Sequence, residues 1–238
     1  TNALSDENCK SVIVAPKNDK IEFDYIFENE QEYFIRIYMY TENPQWVCQL
    51  NVYCVDDDLY GKYPLKGDTH IHSNMSDGRE TPQTIAAHYR KAGFDYIALT
   101  DHGLWEPSDK MIKFYNEIPV DLKMFHGEEI HPPDNKIHIV NFGGDFSIND
   151  IFKKNPQLYH DQTKEIFNQL KVKNISENIN LTELASCIWV TEKIKQAKGI
   201  SVFCHPLWLV NGYHVNQEMT EYLLNNNIFD AFEVCGGV

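Results

Sequence analysis

The chain has 238 residues, 42% hydrophobic and 24% charged, a composition that excludes disorder and any collagen-like or repeat-dominated architecture. A formal net charge of −14 and a pI near 5.1, with no Lys/Arg-rich stretch, argue against nucleic acid as a partner. No run approaches the ~18 consecutive apolar residues of a membrane-spanning helix, so the chain reads as soluble with the cytoplasm favoured, although Thr at position 1 leaves a removed leader open.

The first predicted elements are strands. Ile21, Phe23 and Tyr25 alternate, and residues 33–40 and 46–55 are rich in aromatic and β-branched side chains, which predicts a small β-rich domain over residues 1–64. Asp56 to Asp58 read as a solvated turn, and the segment from Gly61 to Lys66, containing Pro64, as the connector to a second domain over residues 65–238. The six cysteines form no C-x-x-C pair. A Cys48–Cys54 bridge stays open, while Cys187, Cys204 and Cys235 lie in apolar stretches as small buried hydrophobes.

Beyond the connector the rhythm becomes strand, polar cluster, helix. Thr81 as N-cap and Pro82 at the first helical position open a helix that Gly93 closes, and residues 94–100 follow as a buried strand. Further strands are predicted at 122–126, 136–141, 200–204 and 230–235, and helices at 108–117, 161–173, 182–198 and 217–226. This is the pattern of βα units around a parallel sheet or barrel, where the C-terminal ends of strands converge on one face.

Four strand-like runs end in, or lead into, side chains able to bind metal. His70 and His72 sit two apart, so the pleat of a strand points both imidazoles the same way. Ser76-Asp77-Gly78 places a carboxylate in a turn, and Thr100-Asp101-His102-Gly103 ends the next strand. Gly127-Glu128-Glu129 comes next, then His138, then Cys204-His205-Pro206. Each motif alone is ordinary, since Asp-Gly commonly marks a turn and His-Pro a strand end.

Together, in this order, they resemble the polymerase and histidinol phosphatase (PHP) superfamily, in which D-x-H-x-H, S-D-G, T-D-H-G, G-x-E, a later His and a His-Pro follow one another. The resemblance covers roughly residue 63 to the end of the chain. It implies an α/β fold, a distorted (β/α)7 barrel, carrying up to three divalent metal ions, Zn, Mn or Fe. By the same match His70, His72 and Glu129 would hold a first ion, Glu129, His138 and His205 a second with Glu129 bridging, and Asp77 and His102 a third. Glu129, His102 and Asp77 would carry the catalytic roles. Glu129 is preferred to Glu128 because the family's ligand is the second residue after the glycine.

The implied activity is that of a metal-dependent hydrolase, a phosphoesterase acting on a small phosphorylated molecule through a metal-bound hydroxide, with no oligomeric state implied. The β-rich leading segment has a looser resemblance to the carbaryl-hydrolase-like branch, which keeps carboxyl or carbamate esters as an alternative. A non-catalytic binding module is a further one. The family's closing Ser-Asp-x-His segment is not reached by Val238, so the resemblance implies a barrel truncated at its C-terminus, with the first and third positions each short of one ligand. Asp68 and Asp101 are expected to orient imidazoles. His126 and His131 are expected as pocket neighbours only, Arg79 as a surface residue, and His88, His160 and His214 have no assigned role.

Overall fold

The computed structural model describes residues 9–209, 212 and 214–234. Backbone packing divides the chain into two compact units, Thr1–Pro64 and Leu65–Val238.

In the first unit β1 (Gln31–Met39) pairs antiparallel with β2 (Gln45–Cys54). One face carries Tyr33, Ile35 and Ile37 opposite Val52, Leu50 and Cys48, the apolar alternation that the pleat requires. The alternating Ile21, Phe23 and Tyr25 form no strand and are 40–51% exposed, because among the described residues no strand takes up their backbone hydrogen bonds. Cys48 and Cys54 are free thiols. Six residues apart on one extended strand, they stand ~20 Å apart, far beyond the ~7 Å limit for a disulfide.

The second unit is mixed α/β. Strands β3 (Gly67–Ile71), β4 (Tyr96–Leu99) and β5 (Lys123–Phe125) form a parallel sheet, with α1 (Pro82–Lys91) and α2 (Glu106–Tyr115) between them in sequence. Thr81 caps α1 by accepting the Thr84 N–H, Pro82 follows, and Gly93 at φ +80° ends the run. Ile71, Ile97 and Leu99 of the sheet pack against Ile85, Ala86 and Met111 of the helices as one core.

A second sheet follows, β6 (Gly127–Ile130), β7 (Ile139–Phe142), β8 (Ile200–Phe203) and β9 (Ala231–Phe232). The helices α3 (Asn149–Lys154), α4 (Pro156–Lys171), α5 (Leu181–Gln196) and α6 (Gln217–Asn225) belong to this half. The larger core gathers Phe152, Tyr159, Leu184, Trp189, Ile194 and Met219 from these helices with Ile130, Ile139 and Phe203 from the strands. Asn155, Asn180 and Asn216 cap α4, α5 and α6 through their side-chain oxygens.

The structure departs from the uniform parallel pattern at β7, which is antiparallel to both neighbours, whereas β8 and β9 are parallel. Between β6 and β7 the chain returns through the short 131–138 loop, too short for the crossover that a parallel pair needs. The strand expected at 230–235 is short, and Cys235, with the remainder of that segment to Gly237, lies outside the described residues.

Candidate metal centre

All seven side chains singled out in the sequence line one open cavity of about 690 Å³ in the second unit, together with Asp68, Trp208 and Glu233. They arrive by different routes. His70 stands near the end of β3 and His72 just beyond it, with ring centroids 5.0 Å apart. Gly67 begins that strand where a Cβ would fall 1.9 Å from the end of the Tyr96 ring, so any larger residue would push that ring aside.

The next turn is folded back onto the histidine backbone. A Cβ on Gly78 would fall 2.1 Å from the His72 carbonyl oxygen, and Gly78 N–H donates to Ser73 O at 2.9 Å. That fold delivers Asp77, whose Oδ1 is 2.7 Å from His72 Nδ1 and whose Oδ2 is 3.3 Å from His102 Nε2. The turn is held by Asp101, which is fully buried and accepts from Ser73 N–H (2.9 Å), Ser73 O–H (2.9 Å) and Ser76 O–H (2.6 Å). Its expected role was to orient an imidazole. It instead anchors the loop that carries one, because its carboxylate points back beneath the His72–Asp77 turn. Asp68 likewise accepts from the His70 backbone N–H and from the Tyr89 hydroxyl.

His102 follows β4 and pairs in parallel with Glu129 across an isolated bridge, supported by Gly103 N–H donating to Glu129 O at 2.8 Å. Gly103 takes φ +64°, which a glycine adopts at little cost. Glu129 lies on β6, a strand buried at every residue. Its neighbour Glu128 faces the other way, into donors from Ser147, Ile148, Asn149 and Asn141.

His138 and His205 meet because β7 runs against β8. The first precedes its strand and the second follows its own, so antiparallel pairing places both at one edge, with ring centroids 5.0 Å apart. His205 adopts φ +31°, an uncommon conformation for a residue with a Cβ.

Glu129 is the hub. Its Oε2 is 2.8 Å from His102 Nδ1, 3.0 Å from His72 Nε2 and 3.3 Å from His70 Nε2, and its Oε1 is 2.8 Å from His138 Nδ1 and 3.6 Å from His205 Nε2. Among the described residues only imidazoles come within ion-pair distance of this fully buried carboxylate. Yet among the described residues Oε1 has no hydrogen-bond partner of good geometry, although His138 Nδ1 lies 2.8 Å away. A buried anionic oxygen facing nitrogen atoms that do not donate to it suits a cation shared between them.

The ligand atoms fall into compact groups: His70, His72 and Glu129; Glu129, His138 and His205; His72, Asp77 and His102. Such nitrogen and oxygen sets can hold a divalent metal ion. Two further groups were not legible as site residues in the sequence. His131 joins His102 and Glu129, its Nε2 2.7 Å from His102 Nδ1 and its ring stacked 4.0 Å from that of His138. Its place two residues after Glu129 was the available signal. Glu233 joins His70 and Cys204, and only the register of β9 against β8 brings it there.

The local electrostatics follow. Burial alone would raise the Glu129 carboxyl, but the surrounding His102, His131, His138 and His205 hold it far below the usual carboxylate range. Hydrogen bonding to His72 lowers Asp77. Burial opposes protonation of His70, yet its contacts with Cys204, Glu129 and Glu233 raise it overall, whereas burial keeps His138 below its ordinary value. Burial pushes Glu128 upward against the pull of its donors.

The family model described as the PHP domain matches residues 68–201. Solved structures similar to this chain include the following three. One is a proposed metal-dependent phosphoesterase from Bifidobacterium adolescentis (20% identity, 72% of this chain and 78% of that one, TM-score 0.47). The second is an amidohydrolase from Chromobacterium violaceum (16%, 71% and 76%, TM-score 0.47). The third is a two-domain protein from Bacteroides vulgatus containing a predicted PHP-like metal-dependent phosphoesterase (17%, 71% and 44%, TM-score 0.45). No curated protein matches the chain.

Proposed function

The chain belongs to the PHP domain family, and from that premise we propose that it is a metal-dependent hydrolase, a phosphoesterase acting on small phosphorylated molecules. The observation that carries this reading is Glu129, a wholly buried carboxylate encircled by imidazoles. An unpaired carboxylate in such a place costs several kcal/mol, on the order expected for a desolvated ion, and bound cations offset that cost.

In this reading His70, His72 and Glu129 hold one ion, Glu129, His138 and His205 a second, and Asp77 with His102 a third. Divalent ions there would supply a water nucleophile of lowered pKa and positive charge for the oxyanion that develops on the substrate. Glu129 contributes its ionised carboxylate, kept so by the histidines around it. Burial favours the neutral form of His138, the form with a lone pair to offer. Asp77 and His102 are the more exposed members, at 64% and 33% of their side chains, and so face the substrate side. Asp101 keeps the Asp77 turn in register.

The same reading takes β3 to β9 as the seven strands of a distorted (β/α)7 barrel, and residues 1–64 and 65–238 as a β-rich domain and the hydrolase domain. The strand number and the His102–Glu129 bridge between the two sheets support it.

The test is metal analysis of the protein beside a panel of phosphomonoesters, phosphodiesters and carboxyl esters. We expect bound divalent metal and chelator-sensitive turnover of a phosphoester. Turnover of carboxyl esters alone would move the activity to that class, and a chain that takes up no divalent ion would sink the reading altogether.

A further inference from the structure

Glu233 occupies a position that the ligand groups alone do not explain. One oxygen, Oε1, is in close contact with His70 Nδ1, while the other, Oε2, accepts the backbone N–H of His205 at 2.7 Å. A single carboxylate thereby touches one histidine from each of two of the three groups that share Glu129. It reaches both because β9 lies parallel to β8: Phe232 pairs with Phe203, and Glu233 N–H continues the ladder to Phe203 O at 3.0 Å. The Cys204 thiol also lies beside His70, but it donates to Val202 O at 3.7 Å, and the Glu233 carboxylate, in close contact with His70 Nδ1, is the stronger acceptor there.

From this we infer that Glu233 is a positioning residue of the centre, fixing both the tautomer of His70 and the backbone of His205. The inference rests on the metal-centre reading above. An imidazole that donates Nδ1–H to a carboxylate presents its lone pair at Nε2, and in His70 that nitrogen is the one facing Glu129, 3.3 Å from Oε2. At His205 the φ of +31° carries a conformational cost for a side chain with a Cβ, and the charge-assisted bond from its N–H to Glu233 holds that conformation. Both histidines are thereby set before any ion arrives.

The experiment uses the full chain and zinc. Long-range nitrogen–proton NMR of the zinc-loaded wild type should find the His70 proton on Nδ1. A proton on Nε2 would overturn the inference without requiring any variant to fold. Competition against a chromophoric chelator should show that Glu233→Gln weakens zinc binding at least about tenfold, the usual range for losing such a partner. In a His70→Ala background the same change should have a much smaller effect, because one of its two targets is gone. Zinc affinity within twofold of wild type in Glu233→Gln would also overturn it. If the wild type binds no zinc, manganese or iron, the reading of the centre itself has failed, an outcome distinct from wild-type binding that Glu233→Gln leaves unchanged.

Discussion

Glu128 and Glu129, consecutive on one buried strand, turn their carboxylates to opposite faces: Glu129 to a ring of imidazoles, Glu128 to a hydroxyl, an amide pair and backbone N–H groups. The period-two alternation of a strand makes this separation obligatory. It also splits two acidic residues that composition alone cannot tell apart.

That split predicts opposite outcomes for two alanine substitutions. Glu129→Ala should abolish bound metal and turnover together, since it removes the group shared by the first and second ion sets. Glu128→Ala should keep most of the metal but lose about 2–4 kcal/mol of stability, because several buried donors lose their acceptor at once. Elemental analysis and urea unfolding check both. Full metal content in the Glu129 variant would show that the hub is misassigned.

Asp101→Ala should loosen the turn rather than empty the centre. Three donors, Ser73 N–H, Ser73 O–H and Ser76 O–H, lose their common acceptor, at a cost of about 1–3 kcal/mol. Hydrogen exchange at the Ser73 and Gly78 amides should accelerate while exchange in α5 is unchanged. Equal protection in the variant would contradict this.

Two glycine substitutions separate crowding from backbone conformation. At Gly78 the added Cβ meets the His72 carbonyl, a backbone atom that cannot swing aside, so Gly78→Ala should cost about 1–3 kcal/mol and lower metal occupancy. At Gly103 the space is open and the left-handed φ is the sole obstacle, so Gly103→Ala should cost only about 1 kcal/mol. Thermal midpoints of the two variants test the ranking, which fails if Gly103→Ala proves the more damaging.

Metal removal should reduce stability. An ion that binds only the folded chain adds about 2.7 kcal/mol when present at a hundred times its dissociation constant. Zinc or manganese should therefore raise the midpoint of the wild type and a chelator reverse the rise, with no such response in Glu129→Ala. A midpoint indifferent to metal in the wild type would count against the centre.

Local spacing made part of the molecule legible in advance. The H-x-H pair needs only the pleat of β3, the α1 cap needs only Thr81 and Pro82, and the strands around residues 97, 124, 140 and 202 declare themselves by apolar runs. The short β6 and α3 were not legible as elements: β6 carries two carboxylates within four residues, and α3 is barely more than one turn. A third strand around Ile21 did not form, because alternation supplies a face but not a partner strand.

The sequence by itself determined which residue types stand at strand ends and in what order, since periodicity and capping act over a few residues. Only the tertiary structure decided that β7 runs backwards to bring His138 beside His205, that Asp101 holds a loop, and that His131 and Glu233 reach the centre. Those outcomes depend on strand direction and register between segments as far apart as His70 and Glu233. Such pairings are fixed by the packing of the whole unit and leave no short-range trace in the chain.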